Sequence, residues 1–103
     1  MSQEIEIKPL PSWLVLTDTG VIVSLKYPAE ANGVTVDRLT MRAPSVKDNR
    51  IAQKLGAGSA AELEIHLFAN LTEVKFTEIE LLKERDYRRL QEGYFRLVEE
   101  DEL

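Results

Sequence analysis

The chain contains no cysteine, so a disulfide framework, a thiolate metal cluster and a cysteine nucleophile are all excluded. It has one histidine, His66, and one tryptophan, Trp13. A histidine-based catalytic relay needs a nucleophile and an orienting carboxylate around the ring. A metal site needs several ligands. Here only Glu62 and Asn70 share a helical face with His66, at four residues either side, so His66 reads as a structural or surface residue. No run approaches the ~20 apolar residues that a membrane span requires. Met1 to Lys8 is polar and acidic, with no basic segment followed by an apolar core, so it does not read as a secretory signal. Positive charge is also scarce: 13 Lys and Arg stand against 18 Asp and Glu, a net charge of −5. Nucleic-acid binding draws on cations that neutralise phosphates, and this balance argues against it. Arg85, Arg88, Arg89 and Arg96 do cluster, but Glu84, Asp86, Glu92, Glu99 and Glu100 are interleaved with them. That pattern is a mixed solvated face.

What remains is a chain of 103 residues, 44% hydrophobic and 30% charged. These values describe one globular domain, and a reducing cytosol suits it. Residues 1–12 read as a loose arm interrupted by Pro9 and Pro11. Residues 13–98 form the domain, and the acidic run from Glu99 is a fraying tail, 99–103. Within the domain, Val21, Val23, Leu25 and Tyr27 alternate with Ser24 and Lys26, the period of a half-buried strand, which Pro28 is expected to end. Asn32-Gly33 is a turn dipeptide. Val34, Val36, Leu39 and Met41 supply a second strand whose parity slips, which predicts an irregularity near Asp37-Arg38. The pair is an antiparallel hairpin, with residues 13–17 as a candidate third strand.

After Pro44 the period becomes helical. Ser45 with Asp48, Ser59 with Glu62, and Thr77 with Glu80 have the spacing of a helix-capping serine or threonine and an acid three residues on. The first helix should bury a stripe of Ile51, Ala52 and Leu55 and stop at Gly56 and Gly58. The second runs from Ser59 to about Leu71. A short third opens near Thr77, and the last spans about Arg85 to Val98, with Tyr87, Leu90, Tyr94 and Leu97 on one face. Strands grouped before helices give an α+β fold: a hairpin, or three strands, followed by three to four helices.

One pattern goes beyond fold. The apolar residues of 59–71 cover roughly 200° of the helical wheel, where a one-sided helix needs little more than 100°. Either the helix is central, or part of it faces a partner. Phe95 and Val98 widen the last helix in the same way. Ile65, Phe68, Phe95 and Val98 are therefore candidate partner contacts, and Trp13 is a fifth because tryptophan is enriched at binding hot spots. Gly56-x-Gly58 lacks the continuation of a phosphate loop, and the carboxylates are accounted for by capping and solvation. The residues suggest neither catalytic chemistry nor a metal or cofactor site. The expectation is a non-enzymatic binding or structural module.

From about residue 13 to 98 the order and spacing of several stretches resemble the tail assembly chaperone family of Mu-like contractile-tailed phages. They are Val21-Ile22-Val23-Ser24-Leu25-Lys26-Tyr27-Pro28, Asn32-Gly33-Val34 and Leu39 to Asp48 (Leu-Thr-Met-Arg-Ala-Pro-Ser-Val-Lys-Asp). They continue with Gln53-Lys54-Leu55-Gly56, Glu62-Leu63-Glu64, Leu71-Thr72 and Arg85-Asp86-Tyr87-Arg88-Arg89-Leu90-Gln91. Phe76-Thr77-Glu78-Ile79 fits loosely, and Ile5 to Pro11 lies outside the resemblance. The resemblance implies a role in the host cytoplasm and absence from the finished virion. Its partners would be the apolar, helical tape measure protein and a longer, frameshifted form of the chain itself. It implies no catalytic residue, cofactor, nucleic acid or membrane. The residues do not specify an oligomeric state. The rival readings are a structural tail or baseplate component of the virion, and a small host regulatory binding protein.

Overall fold

The computed structural model describes residues 9–99; the larger part of the expected arm 1–12 and of the tail 99–103 lies outside them. Three antiparallel strands, β1 (Leu14–Leu16), β2 (Gly20–Ala31) and β3 (Val34–Arg42), lie in the order β1-β2-β3. Four helices follow: α1 (Val46–Gly56), α2 (Ala60–Thr72), α3 (Phe76–Glu80) and α4 (Glu84–Val98). The fold is α+β, and the segment around Trp13 does lead into a third strand.

The β1–β2 connection closes tightly. Thr17 N–H donates to the Gly20 carbonyl at 2.8 Å, and Gly20 N–H donates to the Thr17 hydroxyl at 3.0 Å. A Cβ at Gly20 would stand 2.1 Å from the Met41 carbonyl oxygen, so only glycine lets the two backbones come this close. Asn32 (φ 54°) and Gly33 (φ 81°) both sit in the left-handed region. Two such residues form the hairpin turn whose twist matches that of the flanking strands.

Pro28 does not end β2. The strand continues to Ala31 through a break in register: Ser24 pairs with Arg38, and the next pair is Ala29 with Val36. The irregularity expected at Asp37-Arg38 is thus present, but the extra residues are on the facing strand. Proline is tolerated in such a stretch because no ladder hydrogen bond is required of it. The freed N–H groups of Lys26 and Tyr27 instead donate to the Asp86 carboxylate of α4 at 2.7 and 3.0 Å. The break also turns Tyr27 outward, 44% exposed, where strict alternation would have buried it.

The inner sheet face (Leu14, Val21, Val23, Leu25, Leu39, Met41) packs with Leu67, Phe68, Leu71, Ile79 and Leu90 in one core. α4 lies on β2, and Gly93 lets the two come close. A Cβ there would meet methyl groups of Val23 at 3.1 Å and Leu14 at 3.3 Å. α2 is central, with α1 and α3 against it and the Tyr87 and Tyr94 rings of α4 at 5.6 and 5.5 Å from Phe68. This central position accounts for its wide apolar arc.

α1 departs from expectation. Only Ala52 of the predicted stripe is buried, while Ile51 and Leu55 are 40% and 55% exposed. The helix docks instead through Asp48, Ala52 and Gly56, four residues apart on one face. Gly56 brings the backbones together: a Cβ there would stand 2.8 Å from backbone atoms of Leu63. Ser45 caps α1 as predicted, with its hydroxyl accepting from Asp48 N–H at 3.1 Å and Ser45 N–H donating to the Asp48 carboxylate at 2.8 Å. Ser59 caps α2 by accepting from Glu62 N–H. The predicted Thr77–Glu80 cap is not formed. α3 begins at Phe76, and Glu78 accepts from Lys75 N–H at 3.0 Å, because the same carboxylate also takes the hairpin-tip N–H groups of Asn32 (2.9 Å) and Gly33 (3.2 Å).

Candidate partner-binding surface

Two buried carboxylates fix the framework around any surface the molecule can offer. Asp86, fully buried, fastens α4 to β2 as described. Asp48 receives Arg42 through both guanidinium nitrogens at 2.6 and 2.9 Å, and Asn70 Nδ2 at 2.9 Å. The Arg42 hydrogen bonds, then those from Ser45, hold the Asp48 carboxyl well below the usual carboxylate range against the opposing effect of burial. The end of β3 and the starts of α1 and α2's last turn are thereby joined at one ion pair. The backbone N–H groups of Asn32 and Lys75 lower the Glu78 carboxyl in the same sense. Each of these side chains is fully engaged in holding elements together, and none is presented to a reactant.

α4 supplies the outward surface. Asp86, Leu90 and Gly93 are buried on one face. On the opposite side Gln91, Phe95 and Val98 follow one another at steps of four and three, a single strip, with Phe95 and Val98 52% and 41% exposed. At its start this strip borders a groove between α2, α3 and α4, lined by Ile65, Ile79, Leu82, Tyr87 and Gln91 with Glu80, Glu84 and Arg88 at the rim, and enclosing about 350 Å3. Tyr87 donates its hydroxyl to Glu64 Oε1 at 2.5 Å, and Gln91 Nε2 donates to the same oxygen at 2.8 Å. Burial first, and Glu64 second, push the Tyr87 phenol above its ordinary range, so it is a fixed, neutral donor in the groove wall. Leu81, 78% exposed, lines a separate hollow with Tyr27, Pro28 and Lys83.

The five candidate contact residues do not form one site. Ile65 lines the groove. Phe95 and Val98 continue the α4 strip beyond it. Phe68 is a correction: it has no exposed surface and lies against Tyr87 and Tyr94 at the centre of the core. Its place at the edge of the predicted arc reflects a helix packed on several sides. Trp13 lies across α4 from Ile65, in a second hollow with Pro11, Arg85, Arg88 and Arg89. The Arg89 guanidinium sits 5.0 Å from the centre of the indole ring and donates to the Ser24 carbonyl at 2.8 Å. Trp13 is therefore half-buried and knitted to its own fold on that side. Leu81 and Leu82 were not singled out from the sequence. They follow a five-residue helix too short to show a period; Leu82 is marked by its place in the groove wall and Leu81 by its exposure.

His66 is half-buried with its ring 4.4 Å from that of Phe76, a packing role. Among the described residues no group of three or more His, Asp or Glu side chains could hold a metal ion. Among them, too, no helix is long and apolar enough to cross a membrane. The surface offers apolar strips and grooves with charged rims, which suits protein contact.

A family model described as phage tail assembly chaperone proteins, E, or 41 or 14, matches residues 23–99. The match begins at Val23 rather than at Trp13 and takes in the hairpin, all four helices and the whole α4 strip. No curated protein matches this chain, and no solved structure does.

Proposed function

Because the chain belongs to the phage tail assembly chaperone family, and so takes a chaperone's part in tail assembly, we propose that its client is the tape measure protein. It binds that chain's apolar helical segments and keeps them soluble until the tail tube encloses them. The observation that carries this reading is the groove between α2, α3 and α4 around Ile65, Leu82 and Tyr87, continued along α4 by exposed Phe95 and Val98. An exposed apolar helix aggregates unless its face is covered. A groove with apolar walls, a hydrogen-bonding tyrosine held in place and charged rims suits a helix laid lengthwise. Trp13 borders the parallel hollow on the other side of α4 and is a secondary contact. The same reading places the protein in the host cytoplasm and outside the finished virion, with the tape measure protein and a longer frameshifted form of this chain as its partners. It is a holding function, with no covalent step.

The test uses variants at positions exposed or half-exposed in the free domain. Arg88→Glu and Gln91→Lys, both at exposed residues that line the groove, should weaken pull-down of the tape measure protein while the thermal unfolding of the chaperone changes little. Retention of full binding by both variants would rule out the groove.

A further inference from the structure

We propose that the groove between α2, α3 and α4 selects client helices that carry a lysine or arginine on their apolar face, and that Glu64 is the residue that receives it. The inference rests on the groove reading above and names the kind of segment the groove takes.

Asp48, Asp86 and Glu78 join elements of the fold, and each of them uses both carboxylate oxygens. Glu64 is different. The Tyr87 hydroxyl and Gln91 Nε2 both donate to its Oε1, at 2.5 and 2.8 Å. Among the described residues nothing donates to Oε2, and no buried side-chain oxygen is without a partner, so Oε2 is open to the surface. Glu64 itself is half-buried, and among the described residues no cation stands within ion-pair distance of it. Both donors it does have are neutral. A carboxylate partly withdrawn from water and answered only by neutral donors keeps an uncompensated charge.

The donors place that charge. Tyr87 and Gln91 stand one turn apart on α4 and both line the groove, as does Ile65, the next residue along α2. The open oxygen therefore lies at the seam of the α2 and α4 walls. Arg88, the cation at the rim, is 3.6 Å from Glu84 and is answered there. A helix laid in the groove withdraws Glu64 further from water and raises the cost of its charge unless the helix brings a cation. Lysine and arginine can do this from an apolar face. Their stems lie along the apolar wall while the charged head reaches Oε2, and the bond formed is charge-assisted. A wholly apolar helix covers the same walls but leaves Glu64 unpaired, and an acidic residue at that point adds repulsion. The groove thus discriminates by penalty as well as by attraction.

The experiment measures, by fluorescence anisotropy, binding of the purified full chain to three synthetic amphipathic peptides. The peptides share one leucine-rich helical face and differ at a single central position of that face, which is lysine, norleucine or glutamate. Wild type should bind the lysine peptide about tenfold tighter than the norleucine peptide, with the glutamate peptide weakest, and the lysine preference should shrink at high salt. Glu64→Gln keeps an acceptor for Tyr87 and Gln91 but removes the charge, so it should bind the lysine and norleucine peptides alike, with its thermal unfolding little changed. Gln91→Lys should also erase the preference, by offering Glu64 a cation of the chain's own. Equal affinity of wild type for the lysine and norleucine peptides overturns the proposal, as does a lysine preference that survives Glu64→Gln. The series on wild type needs no substitution, so it decides even where a variant does not fold. Equal binding would leave the groove standing as an apolar helix site and the chaperone reading with it, whereas binding of none of the peptides would overturn the inference and the groove together.

Discussion

Replacing Asp86 by alanine removes the carboxylate that accepts from the Lys26 and Tyr27 amides. Both N–H groups stand where β2 leaves register with β3, so no strand carbonyl is positioned to replace the carboxylate. A hydrogen bond to a charged acceptor contributes about 1.5–3 kcal/mol. Two of them, less the relief from no longer burying a carboxylate, put the loss near 3 kcal/mol. That is a large part of the ~5–15 kcal/mol expected for a domain of this size, and it corresponds to a fall in Tm of roughly 15 °C. Urea unfolding followed by far-ultraviolet circular dichroism measures it, with the slope m unchanged if the native state is otherwise intact. Asp86→Asn keeps one acceptor oxygen and turns the other position into a donor, so it should fall between alanine and wild type. Were Asp86→Ala to lose less than about 0.5 kcal/mol, a size ordinary for surface substitutions, the view of Asp86 as the clasp of the bulge would be refuted.

Phe68→Ala should cost about 4 kcal/mol, because it empties a fully buried site between Tyr87 and Tyr94; chemical denaturation checks this, and a small loss would mean the ring is not core. Stability should decline in acid: the folded-state carboxyls of Asp48 and Glu78 are held below their ordinary values of 3.8 and 4.5, by Arg42 and by the Asn32 N–H respectively. Their contribution is therefore complete above those ordinary values and is lost as pH falls through and below them. Urea midpoints measured across that range should drop, and the drop should be smaller in Asp48→Asn. Gly93→Ala should be nearly neutral, since a gain of about 1 kcal/mol in helix propensity offsets close contacts with Val23 and Leu14. Gly93→Leu has no such room and should lose about 3 kcal/mol by thermal unfolding.

The parts of the fold that were legible in the sequence are those with a local signature. Alternation at Val21, Val23 and Leu25, the Asn32-Gly33 turn, the Ser45 cap and the α4 face of Tyr87, Leu90 and Tyr94 each have a physical cause within a few residues. What misled came from longer range. Pro28 signals a strand end only when no distant carboxylate takes over the amides of its neighbours, and Asp86 lies about 60 residues away. Ile51 and Leu55 looked buried because they are apolar, whereas α1 docks through small side chains that admit close backbone approach. Glu78 outcompeted the local Thr77–Glu80 pairing because it also ties down the hairpin tip. The candidate surface was half visible: Phe95 and Val98 are exposed where the wheel placed them. Phe68 was misassigned because a wide apolar arc does not say which of its edges a neighbouring helix covers. Leu82 and Tyr87 become groove residues only once α3 and α4 are in place.

The client assignment is tested most directly by expressing the tape measure protein of the same phage with and without this chain, and measuring its soluble fraction and its co-elution. The tape measure protein should be soluble only in the presence of the chaperone and should elute with it. An unchanged soluble fraction with nothing co-eluting, or recovery of this chain as a stoichiometric part of mature particles, would contradict it.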